Sequence, residues 1–178
     1  MEDYLIFLLS LSIILILFVS VVLYQAKKMR EVIAARWRDV WLLLYHRHNL
    51  LPNLLETFRG FFPHEKGVFQ ELIVLKDKAT HLNDPNLEKL QIELELSIKL
   101  AQLMEKSLNS KEMVKDTNFL ELKYELKGNA LKTEGALALY NEKIREYNKF
   151  LAKAFFRPVA VGFRLNGRHI FEYEAGVI

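Results

Sequence analysis

The sequence predicts an all-α protein: an N-terminal transmembrane helix followed by an antiparallel up-and-down four-helix bundle with long first and last helices. Three observations lead there. The chain opens with a 21-residue run free of charge, Tyr4 to Tyr24. Downstream, apolar side chains recur at gaps of three and four, the period of one helix face. The residues that punctuate sheets and loops are scarce, with 7 Gly and 4 Pro in 178 residues. The length suits one domain of ordinary size. The absence of Cys excludes disulfides, thiolate metal sites and a thiol nucleophile.

The first element, YLIFLLSLSIILILFVSVVLY, reaches roughly 31 Å as a helix, against about 30 Å for a hydrocarbon core. Tyr4 and Tyr24 sit at its ends, where amphipathic rings suit the two interfaces. A cleaved secretory signal would want a basic start and a small-residue cleavage site. Glu2 and Asp3 precede this run and Gln25-Ala26-Lys27-Lys28-Met29-Arg30 follows it, so an uncleaved anchor is expected. Lys27, Lys28 and Arg30, with Tyr4 and Tyr24, are the candidate membrane-interface residues. Residues 27–48 carry a net +4, and no Lys or Arg precedes the span. The positive-inside rule then puts the N-terminus outside and the rest in the cytoplasm, at the inner membrane of a cell. Beyond residue 48 there are 19 basic and 18 acidic residues, so the collar carries most of the excess charge. Beside a span, such a collar reads as an anchor for anionic headgroups rather than for nucleic acid. Membrane lipids are therefore an expected partner, and nucleic acid is not.

The chain divides into an anchor (1–26), a cytoplasmic helical bundle (27–155) and a C-terminal tail (156–178). The first bundle helix continues from the span. Its stripe is Ile33, Trp37, Val40, Leu44, Leu51, Leu55, Phe58 and Phe62, with Pro52 expected to kink it or remove a hydrogen bond. The second runs from about His64 to His81 on Val68, Leu72 and Leu75. Asn83-Asp84-Pro85-Asn86 is a turn in which Asp84 or Asn86 could cap the next helix. The third helix, Leu87 to about Leu108, carries Leu87, Leu90, Leu94, Ala101, Met104 and Leu108. Ser97 fills the gap, and Ile92, Leu96, Leu100 and Leu103 widen the face. The last spans about Thr117 to Phe155, from Phe119 through Leu122, Leu126, Ala130, Thr133, Leu137, Tyr140, Ile144 and Tyr147 to Leu151 and Ala154. Gly128 and Gly135 beside the weak places in this stripe suggest close helix approach. Pro158, Gly162, Gly167 and Gly176 leave 156–178 without helical period. Phe163, Ile170, Phe171 and Tyr173 are its candidate docking residues.

No reactive constellation emerges. No Glu-x-x-His pair suits a di-iron bundle, no phosphate loop exists, and no Ser sits in a nucleophile elbow. His46 and His48 point to opposite sides of a helix. His48 shares the core stripe, where a satisfied buried imidazole is expected rather than a metal ligand. No catalytic, cofactor-binding or metal-binding residue is assigned, and no enzyme activity or cofactor is expected. The most distinctive local pattern is Tyr140-Asn141 repeated at Tyr147-Asn148. Core-edge Tyr with Asn bonding to neighbouring helices or capping Tyr hydroxyls is favoured over a ligand or partner surface. The apolar run Leu137-Ala138-Leu139 makes that part of the helix apolar all round, which calls for a cover. Leu137, Leu139, Tyr140, Asn141, Tyr147 and Asn148 are therefore the candidate interaction face.

Segments 48–69, HNLLPNLLETFRGFFPHEKGVF, and 118–148, NFLELKYELKGNALKTEGALALYNEKIREYN, resemble the bacterial LemA family, and the closing FEYEAG is similar to its aromatic-acidic end. The resemblance runs over roughly 4–176 and implies a single span before a cytoplasmic four-helix bundle, with no established catalytic residues. The chain departs from it where Asn129-Ala130 and Leu137-Ala138-Leu139 stand in place of a Thr-Glu pair and an Arg-rich stretch. It therefore reads as a divergent member. The expected function is a membrane-anchored, non-enzymatic interaction or scaffold module that binds a protein partner or its own copies. The alternative is a signal-transducing or ligand-sensing bundle coupled to the span.

Overall fold

The computed structural model describes residues 1–171 and is all-helical, with no strand among the described residues. Its elements are α1 (Glu2–Phe61), α2 (Lys66–His81), α3 (Leu87–Ser107), a 3-10 turn (Met113–Lys115), α4 (Thr117–Ala152) and α5 (Arg157–Gly162). The apolar run and the amphipathic stretch after it are one element, because nothing between them breaks a helix. The helix also runs through Pro52, which withholds the N–H that the His48 carbonyl would accept. Two starts have visible caps. The Asn86 side chain accepts from Lys89 N at 2.7 Å, and Asp116 Oδ1 accepts from Phe119 N at 2.7 Å.

The chain forms two compact units. One comprises Arg36–Asn141 with Phe171. Its core gathers Leu51, Leu54, Leu55 and Phe58 of α1, Phe69, Leu72 and Leu75 of α2, Leu96, Leu100 and Leu103 of α3, and Phe119, Leu122 and Leu126 of α4. Phe58 meets Phe119 edge-on at 5.7 Å, an arrangement that suits the ring quadrupoles. The other unit comprises Met1–Ala35 and Glu142–Ile170. It buries Val22, Ala26 and Ile33 of α1 and Ile144, Tyr147, Phe150 and Leu151 of α4. Val159 and Ala160 of α5 are buried there too. Every large side chain from Tyr4 to Leu17 lies exposed.

Several expectations change. The α1 and α4 stripes are buried nearly as expected, but α3 is turned. Leu87, Leu94 and Leu108 face outward, while Lys89, Glu93, Ser97 and Ser107 lie inside with Leu96, Leu100 and Leu103. The cause is that Lys89 and Glu93 find each other and further partners, which removes the cost that normally keeps charge outside. Gly128 and Gly135 mediate no close approach, since a Cβ on either would meet nothing within 4 Å. Helix α4 ends at Ala152, and the supposed tail holds α5, which begins beside Pro158 where a helix tolerates the missing N–H. Of the proposed docking residues Phe171 is buried, Phe163 and Ile170 are exposed, and Tyr173 lies outside the described residues.

Candidate functional site

Two polar arrangements stand out. The first is built where α1, α2 and α3 meet. Arg47 and His48 follow Leu44 on the inner face of α1, while Lys89 and Glu93 are one turn apart on the inner face of α3. These residues are 2 %, 1 %, 1 % and 0 % exposed. Glu93 is the centre. Arg47 donates to its Oε2 through Nη2 and to Ser97 Oγ at 2.7 Å through Nη1. His48 Nε2 stands 3.2 Å from both carboxylate oxygens. Lys89 Nζ lies 2.7 Å from Oε1, an ion pair rather than a directed hydrogen bond, and donates to the Ala79 carbonyl at 2.6 Å. That carbonyl belongs to the last turn of α2, whose unsatisfied acceptors and partial negative charge suit an ammonium.

The charges follow from the geometry. Burial alone would push the Glu93 carboxyl up. The His48 hydrogen bond and the charges of Arg47, His48 and Lys89 outweigh it and hold Glu93 at about 2. Burial pushes His48 below its ordinary 6.5, helped by the two cations and opposed by Glu93. A neutral His48 that donates from Nε2 to Glu93 keeps Nδ1 as an acceptor, 3.3 Å from Thr80 Oγ1. Thr80 can also donate to the Lys76 carbonyl at 2.8 Å, so its one proton has two possible acceptors. This arrangement fixes three helices in register. No group of three or more His, Asp or Glu that could hold a metal occurs among the described residues.

The second arrangement explains the doubled Tyr-Asn. Tyr140 and Tyr147 are buried on the α4 stripe. Each adjacent Asn grips a backbone amide. Asn141 Nδ2 donates to the Phe171 carbonyl and its Oδ1 accepts from Phe171 N, both at 2.9 Å. Asn148 does the same to Arg168, both at 2.9 Å. Seven helical residues advance about 10.5 Å, which three extended residues match at about 10 Å. Trp37 lies against Tyr140 at 5.4 Å and Phe171 at 5.0 Å, and its Nε1 donates to the Asn83 carbonyl at 2.6 Å. At Gly167 a Cβ would stand 3.0 Å from Asn148 Oδ1, so a larger residue there would require the Asn148 side chain to give way.

The LemA family model matches residues 36–177. This chain belongs to the LemA family. No curated protein matches it. The match in this LemA protein begins after the apolar run, a shorter reach than the resemblance over 4–176. At the first divergent site Asn129 is buried and donates to the Leu43 carbonyl at 3.0 Å, while its Oδ1 meets no donor among the described residues.

The sequence-derived candidates separate accordingly. Leu137, Tyr140, Asn141 and Tyr147 are buried, Asn148 is half-buried, and Leu139 is exposed. The six residues do not form one outward face, because five of them serve the interior or the tail clasps. Tyr4, Tyr24, Lys27, Lys28 and Arg30 are all exposed on α1. Sequence reasoning anticipated a buried, satisfied His48 but missed Arg47, Lys89 and Glu93. A signal was there, since Lys89 and Glu93 extend the Leu96, Leu100, Leu103 face at gaps of three and four.

Proposed function

We propose that this LemA protein is a single-pass, membrane-anchored interaction module with no enzymatic activity, its bundle at the cytoplasmic face of a bacterial membrane. The observation that carries this reading is the uncovered start of α1. It is long and apolar enough to cross a bilayer, and its side chains are exposed where every later helix buries its stripe. Apolar surface left bare in water costs about 25 cal/mol per Å², so a cover must come from outside the chain. The orientation follows from the basic collar at Lys27, Lys28 and Arg30. For the soluble part we infer antiparallel up-and-down helices. Leu43–Asn129, His46–Glu125 and Thr57–Asn118 run in opposite senses along α1 and α4, as do Glu71–Lys99 and Ala79–Lys89 along α2 and α3.

A protein partner or a second copy is the expected ligand of the bundle. Its surface is not the Tyr-Asn face but the outer line of α4: Tyr124, Leu131 and Leu139 are exposed and lie seven and eight residues apart. A nucleic-acid role has no support in the balanced charge beyond residue 48. The test is alkaline carbonate extraction of vesicles, followed by cross-linking in intact membranes. The full chain should resist extraction and give cross-linked species that Leu131→Glu abolishes. A chain washed off by carbonate removes the anchor, and a strictly monomeric, partnerless chain in mild detergent removes the interaction role. Reporter fusions at residues 1 and 178 should place the first outside and the second inside.

A second reading, a signal-transducing or ligand-sensing bundle, is favoured by one feature: the apolar run and the buried Arg47 and His48 share the same helix, α1. Amide exchange around Pro52 that responds to a small-molecule ligand would support it. Invariance across a metabolite panel would remove it.

A further inference from the structure

The corner where α4 ends and α5 begins lies beside the inner end of the apolar run. Phe156 contacts Phe18 at a ring distance of 6.1 Å and Phe150 at 4.8 Å. Val22 and Ala26, on the same side of α1 as Phe18, are fully buried. Phe18 precedes Tyr24 by six residues, so Phe156 sits at a level roughly 9 Å to the apolar side of Tyr24. A protein segment at that depth meets headgroups and the first acyl carbons, not bulk water.

The composition of the corner suits that place. Phe155, Val161 and Phe163 are 83 %, 72 % and 55 % exposed, while Val159 and Ala160 hold the other face of α5 against the protein. Between Tyr147 and Phe171 there are Lys149, Lys153, Arg157, Arg164 and Arg168 and no Asp or Glu. Arg157 and Arg164 both line an open cleft of about 610 Å³ with Asn148 and Leu165. Arg164 also carries backbone strain. The N–H of Leu165 returns to the Ala160 carbonyl at 2.8 Å and that of Arg164 to Val161 at 3.1 Å, the helix ending that places a left-handed residue at position 164. Glycine usually occupies it, yet here Arg164 adopts φ 52°.

We propose that the α4–α5 corner is a bilayer-docking surface: Phe155, Val161 and Phe163 enter the headgroup–acyl boundary, and Arg157 and Arg164 hold anionic phospholipid headgroups. This rests on the reading of Tyr4–Tyr24 as a span. Each basic residue near an anionic surface is worth about 1 kcal/mol, so each charge removed shifts the immersed fraction about fivefold. Immersion of the apolar side chains by about 5–10 Å matches the level set by Phe18.

The chain has no native Cys, so single nitroxide labels are unambiguous. The full-length Val161→Cys, Phe163→Cys and Leu11→Cys proteins are reconstituted in vesicles of phosphatidylcholine alone and of phosphatidylcholine with phosphatidylglycerol. Label depth is read from relaxation by oxygen and by a water-soluble nickel chelate. Labels at 161 and 163 should be immersed in the anionic vesicles and return to water on Arg157→Glu with Arg164→Glu, while the Leu11 label stays in hydrocarbon. Arg164→Gly should leave thermal stability equal or higher and still reduce immersion, which a purely structural role would not do. Labels at 161 and 163 that remain in water, or sit equally deep whatever the lipid or residue charge, overturn the proposal. A Leu11 label in water instead overturns the span itself.

Discussion

Glu93 is the residue on which the interior depends most. Its carboxylate faces Arg47, His48 and Lys89 together in the core. Glu93→Gln keeps the shape but removes the charge that Arg47 and Lys89 face, so it should destabilise the fold by about 3–5 kcal/mol. Urea denaturation of the purified protein, followed by circular dichroism, would measure that loss. The same group of residues makes the protein acid-labile. His48 binds its proton less readily folded than unfolded, so stability falls as pH drops below 6.5, where the unfolded chain takes up a proton and the folded one resists. Glu93 adds a second loss as pH falls from 4.5 towards about 2. The urea midpoint should thus decline in two stages on acidification, and His48→Gln should remove the upper one. A midpoint flat between pH 7 and 5 would contradict this.

At the scale of elements, the stripes of α1 and α4 were legible because their buried faces are almost wholly apolar, and a period of 3.6 then suffices. Helix α3 was misread because its inner face includes Lys89 and Glu93, and the polarity rule moved the apparent face towards Leu87 and Leu94. Gly128 and Gly135 lie within α4 with open space around them. They keep the usual entropy penalty of glycine without a packing return. Gly128→Ala and Gly135→Ala should each raise stability by about 0.5–1 kcal/mol, seen as a higher thermal midpoint. A loss at either position would mean that the glycine serves a contact in an assembly. The doubled Tyr-Asn shows a motif whose importance could be seen and whose partner could not. Its spacing is local, but Arg168 and Phe171 come to it from twenty and thirty residues away.

At the scale of the molecule, the apolar run carries the least ambiguous message. Ile14 lies at its midpoint, and Ile14→Arg should cost about 2.5–3.5 kcal/mol of insertion free energy. Fractionation of cells expressing the variant would then show a larger share of chain outside the membrane pellet. An unchanged distribution would argue that the run is covered by protein instead of lipid. The family match begins at residue 36, within the helix that carries the apolar run, so the run lies outside the matched part though it is joined to it as one continuous helix.

The sequence by itself determined the helical class, the extent of the apolar run, the faces of α1 and α4, and membership of the LemA family. The first three are written in composition and in spacings of a few residues, and the family in the resemblance of whole segments. Only the tertiary structure decided that charge belongs inside α3, that the paired Asn clasp the tail, and that α5 forms beside the end of the apolar run. Each of those depends on groups far apart in the chain satisfying one another's desolvation, and no local pattern records that pairing.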